Sequence, residues 1–172
     1  MFSVVHKKSD ESLSNCFTNT NQTKNYTNIP SNTDYITLYF GINDSHNSSA
    51  IPLGTIADTT VNTFYGAYNT VLDYLIEHHP NAHIGIIVTN GADNDNYRQA
   101  TIAVANKWGI PYIDLNGDER TPMMLRSTNP NVDAAAKAVR LATWRVSSTN
   151  QHPNPAAHRY ESTFIEHFLK SL

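Results

Sequence analysis

The chain has a single cysteine, Cys16, which rules out an intrachain disulfide framework and a cysteine-based metal site. That thiol lies in a polar stretch and reads as incidental. No segment approaches the roughly 18 continuous apolar residues of a membrane helix, so no membrane partner is expected. The N-terminal "MFSVVHKKSDES" has too short an apolar run for a secretory signal, and its basic residues follow that run. A cytoplasmic protein, or part of a larger assembly, is the expectation. Twelve Lys and Arg against fifteen Asp and Glu give a net charge of −3 and a pI near 6.2. That balance offers nothing to nucleic acid, and no run of like charge suggests an interaction tail. Glycine is also scarce: there are seven, and none precedes Gly41. No glycine-rich phosphate loop occurs, which argues against a nucleotide-binding α/β domain, and no cofactor is expected.

What is present suits one folded domain spanning 1–172. Hydrophobic residues make up 40% of the chain and aromatics 10%, enough for a sizeable core at this length. Residues 9–33 are rich in Asn, Thr and Ser without apolar periodicity, so they read as loop. From Asp34 the pattern becomes regular. "DYITLYF" (34–40), "HIGIIVT" (83–89) and "IPYIDL" (110–115) are short apolar runs expected of strands covered on both faces. Between them, Thr60 to His79 places Val61, Phe64, Tyr65, Tyr68, Val71, Leu72, Leu75 and Ile76 at helical spacing before Pro80. Asp93 to Trp108 carries Tyr97, Ala100, Val104 and Trp108 on one face and stops at Gly109. An Ala-rich helix is expected from about Val132 to Thr143. A last one from about Asn154 to Leu169 carries Tyr160, Phe164, Ile165, Phe168 and Leu169. Strands alternating with such helices predict a three-layer α/β/α sandwich on a parallel sheet.

In parallel sheets, functional loops leave the carboxyl ends of the strands. "GIND" (41–44) leaves one such end. Its glycine allows a tight corner, and the Asn43 amide can then donate to a developing oxyanion. Asn43 and Asp44 would equally serve as simple caps. "NQHPNPAAHRYES" sets His152 in a loop stiffened by Pro153 and Pro155 just ahead of the last helix. Such a histidine suits a general base, and would equally be a surface residue. His78, His79 and His83 cluster around Pro80, but no carboxylate or cysteine stands at metal-ligand spacing. They read as solvated helix-end histidines, and no metal is expected. His158 and His167 read as surface positions. "NGADNDN" (90–96) lacks a calcium-loop register and reads as a strand-to-helix turn.

The pair "GIND" and "HPN" (152–154), in this order and topology, resembles the SGNH (GDSL-type) hydrolase family of esterases. The first looks like its third block and the second like the histidine end of its fifth, covering Asp34 to Leu172. The resemblance implies a flavodoxin-like sheet and an acyl or acetyl ester hydrolase, with carbohydrate or small-molecule esters as substrate. It casts Asn43 as an oxyanion donor, Asp44 as an orienting residue and His152 as the base that activates a serine. Gly41 and His46 would border the substrate. "DYITLYFGIND", "IGIIVTNGADND" and "QHPNPAAHRYE" look most like domains of bacteriophage tail or host-associated proteins, which implies a larger polypeptide or a virion as partner.

The sequence departs from that family twice. It holds no Gly-Asp-Ser nucleophile block; Ser9 and Ser12 of "KSDES" lack the glycine that a sharp nucleophile turn needs. "FSVV" (2–5) is then expected to be the family's second strand, with the first βα unit and the serine lying upstream. The acid usually found three residues before the histidine is replaced by Thr149. As written, residues 1–172 are not expected to be a competent hydrolase alone. A non-catalytic glycan-binding module, or an inactive remnant, is the alternative.

Overall fold

The computed structural model describes residues 2–5, 26–46, 48, 52–88, 95–115, 134–147, 149–150 and 152–172. Four strands form one parallel sheet in the order β1-β2-β3-β4: β1 (Phe2–Val5), β2 (Tyr35–Leu38), β3 (His83–Val88) and β4 (Tyr112–Asp114). The register runs Phe2↔Tyr35, Tyr35↔His83 and Ile86↔Tyr112. Among the described residues five helices accompany it: α1 (Ile42–His46), α2 (Phe64–His78), α3 (Asp95–Trp108), α4 (Ala134–Trp144) and α5 (Pro155–Ser171).

Alternation along the strands assigns the two faces. Ile36, Leu38, Ile84, Ile86 and Val88 share a core with Phe64, Tyr68, Leu72 and Leu75 of α2 and with Tyr97, Ala100 and Val104 of α3. Ile87, Ile113 and Leu115 instead meet Phe168 of α5, with Phe164 and Ile165 at the margin. Helices on both faces make the three-layer α/β/α sandwich, with a flavodoxin-like parallel sheet at its centre. Connections β2-α2-β3 and β3-α3-β4 lie on one face, as right-handed crossovers require.

The element bounds differ from the sequence reading in physically intelligible ways. Helix α2 begins at Phe64 rather than Thr60, because the Thr63 side chain accepts from the Gly66 N–H and caps it. Ile76, expected in the core, is exposed. Residues Tyr26–Asn28, read as loop, form a 3-10 turn. His79, read as solvated, is only 5% exposed, whereas His78 and His83 are exposed. Strand β1 pairs directly with β2, the place of the first strand in the flavodoxin order 2-1-3-4-5, and not of the second as "FSVV" was read. Pairing there satisfies backbone groups that β2 would otherwise leave open. Cys16, Ser9, Ser12 and 90–94 lie outside the described residues, as do the starts expected at Asp93 and Val132. No helix among the described residues is long and apolar enough to cross a membrane.

Candidate active site

The corner after β2 is built on Gly41, whose φ of 120° is open to glycine and strained for other residues. The chain then turns into α1 rather than a loop, and the Ser45 N–H bonds the Gly41 carbonyl at 2.9 Å. Asn43 is half-buried and His46 exposed, whereas Asp44 is 1% exposed. The Asp44 carboxylate lies near the phenols of Tyr68 on α2 and Tyr97 on α3. Burial first and the Asp44 charge second push both hydroxyls above the ordinary tyrosine value. The Tyr68 hydroxyl faces the Thr101 side chain and the Phe40 backbone outside good hydrogen-bond geometry. Asp44 thus anchors α1 from beneath while Asn43 stays nearer solvent.

His152 stands in the turn between α4 and α5 and is exposed. The turn is a small hairpin: Arg145 bridges Pro153, the Val146 N–H bonds the His152 carbonyl at 3.0 Å, and the Asn154 N–H bonds Trp144 at 3.0 Å. Asn154 also caps α5, its Oδ1 accepting from Ala156 and Ala157 at 3.0 Å each while its Nδ2 reaches the Thr143 carbonyl at 2.8 Å. Thr149, at the position expected for the acid, has its hydroxyl 3.2 Å from that of Ser147.

Two independent observations bring this turn to the same end of the sheet as the Gly41 corner. Helix α5 runs antiparallel to the strands: Phe168 and Leu172 lie over Gly85, and the Leu172 carbonyl meets His83 Nδ1 at the amino end of β3. Its 17 residues span about 25 Å, longer than β3, so its start stands beyond the carboxyl ends. Second, Tyr39, just ahead of Gly41, packs against the same apolar cluster as Phe164 and Ile165 of α5. Burial pushes Arg145 below its ordinary value; Glu161 foremost, then Tyr39, works against this.

A further polar element at this end was not foreseen. Arg98 on α3 forms a two-pronged ion pair with Asp114 at the end of β4, with Nε at 3.0 Å from Oδ1 and Nη2 against Oδ2. Both side chains are largely buried, at 5% and 15% exposure. Its only trace in the sequence is an aspartate ending an otherwise apolar strand. Among the described residues no group of three His, Cys, Asp or Glu could hold a metal.

Among solved structures the chain is similar to a protein from Lactobacillus plantarum, with 27% identity and a TM-score of 0.64 over 85% of this chain and 71% of that one. A protein provisionally described as a GDSL-like lipase from Bacteroides ovatus superposes with a TM-score of 0.52 at 19% identity. That likeness covers 81% of this chain and 55% of the other. A second protein so described, from Bacteroides uniformis, is 25% identical with a TM-score of 0.45, over 52% and 43% of the two chains. The chain shares the fold of the Bacteroides ovatus protein. No protein-family model and no curated protein matches the sequence.

Proposed function

We propose that the chain supplies the Asn43 and His152 parts of an SGNH-type carboxylic ester hydrolase, acting on acyl or acetyl esters, with carbohydrate esters foremost. The observation that supports this is the convergence of the Gly41–His46 corner and the His152 turn on the carboxyl end of one parallel sheet. In the reaction a serine hydroxyl gives its proton to His152 as its oxygen attacks the ester carbonyl. The Asn43 amide donates to the oxyanion, and collapse expels the alcohol, which takes the proton back from His152. Water then repeats the sequence on the acyl-enzyme. Gly41 and His46 border the substrate, and Asp44 holds the corner. Residues 1–172 contain no Gly-Asp-Ser block, and the segment that follows β1, at the first-strand place, lies outside the described residues, so this reading assigns no serine.

A second reading has its own support. The missing nucleophile block and Thr149 at the acid position suit a module that binds glycan without cleaving it. A bacteriophage-associated setting rests on the sequence likeness alone and fits either reading. Turnover of p-nitrophenyl acetate, compared with that of the His152→Ala variant, separates the two. A drop of about 10² or more supports catalysis; equal, near-background rates overturn it in favour of the binding module.

A further inference from the structure

The His152 turn rides on α5. Asn154 joins the two, its Oδ1 accepting from the Ala156 and Ala157 amides while its Nδ2 donates to the Thr143 carbonyl. Where His152 stands relative to Asn43 therefore depends on where α5 lies on the sheet. Phe164 and Ile165 press on the apolar cluster of that face, but such packing has no direction and tolerates sliding. The tail of the helix is held differently. A Cβ on Gly85 of β3 would come within 2.9 Å of Phe168 Cε1 and Cζ and 2.8 Å of Leu172 Cδ1, so these two side chains fill the room that the missing one leaves. The Phe168 ring is 7% exposed in a cluster with Ile87, Ile113 and Leu115, and swinging it away would open that cluster. His83, on the same strand, adds a directional contact, its Nδ1 lying 2.6 Å from the Leu172 carbonyl oxygen.

We infer that Gly85 is a positioning residue: by letting the Phe168 ring rest on the β3 backbone, it sets the place of α5 and, through it, that of His152 relative to Asn43. The 17 residues of continuous helix carry a shift of the tail over about 25 Å to the turn. A displacement of about 1 Å at a reacting group can cost about 10² in rate. The catalytic consequence rests on the ester-hydrolase reading; the seat of α5 on Gly85 does not.

The test takes Gly85→Ala, Phe168→Leu and the double variant in the protein as its gene encodes it, and reads crystal structures beside the kinetics of p-nitrophenyl acetate hydrolysis. The methyl group of Gly85→Ala should displace α5 by about 1 Å and lower kcat about tenfold with KM within about twofold, the mark of a displaced base rather than lost binding. Leucine lacks the two ring carbons that the methyl would meet, so the double variant should return α5 to its place and kcat to within about threefold of the parent. That rescue is also the test if Gly85→Ala alone fails to fold. Asn69→Ala, on the other face of the sheet, is the control for lost stability and should leave kcat unchanged. An unmoved α5 in Gly85→Ala, or a double variant no better than the single ones, overturns the seat. A displaced α5 with kcat intact, in a protein that His152→Ala inactivates, overturns the positioning role. A displaced α5 in a protein whose turnover never depended on His152 upholds the seat and rejects the ester-hydrolase reading instead.

Discussion

Asn69 sits in the middle of α2, 3% exposed, and uses its whole amide. Its Nδ2 donates to the carbonyls of Asp58 at 2.7 Å and Ile56 at 3.1 Å, and its Oδ1 accepts from Trp108 Nε1 at 2.8 Å and Lys107 Nζ at 3.0 Å. It therefore straps the segment before α2 to the end of α3. Replacing it with alanine removes four bonds, but not all at full cost. Lys107 still donates to the Ile56 carbonyl at 2.9 Å. The Trp108 indole and the Asp58 carbonyl are left without that partner, at about 1–1.5 kcal/mol each, so Asn69→Ala should cost about 2–3 kcal/mol. At roughly 2–4 °C per kcal/mol for a domain of this size, Tm should fall by roughly 4–12 °C. Urea unfolding followed by tryptophan fluorescence measures this directly. A Trp108→Phe cycle should return a coupling of about 1 kcal/mol with Asn69. A loss below about 1 kcal/mol, or additive single variants, would refute the strap.

Removing the Asp114 charge from the buried pair with Asp114→Asn should cost up to about 3–5 kcal/mol, whereas Arg98→Met with Asp114→Leu should recover most of it; chemical denaturation reads both. Gly66→Ala would drive a Cβ into the Thr60 carbonyl oxygen, a backbone atom that cannot swing aside. Its melting temperature should therefore drop, although alanine is the better helix former. Burial first, then the His78 charge, holds His79 below the ordinary histidine value. The unfolded chain takes up that proton near pH 6.5 while the fold resists it, so stability is full above that pH and is lost as pH falls through it. The urea midpoint of His79→Leu should thus decline less between about pH 7.5 and 5.5 than that of the parent; parallel declines would exclude the effect.

Much of the architecture was legible because apolar strands and amphipathic helices each carry their own period. "HIGIIV" and the Phe64–Tyr68–Leu72–Leu75 stripe declared both their type and their buried side. The Gly41 corner was legible too, since a glycine closing an apolar run marks an unusual φ. What stayed hidden depends on tertiary neighbours. Nothing local distinguishes His79, which burial claims, from exposed His78 beside it. Arg98 and Asp114 pair across sixteen positions, a spacing that carries no periodic signal. The short helix α1 was read as a loop because five residues are too few to show a period.

The measurement that bears most directly on the site is p-nitrophenyl acetate turnover by the protein as its gene encodes it, including any frame open upstream of the Met1 codon, beside the same protein carrying His152→Ala. The site as described requires turnover above background and its fall by about 10² or more in the variant. Equal rates for the two proteins would contradict a catalytic role for His152 and with it the ester-hydrolase reading.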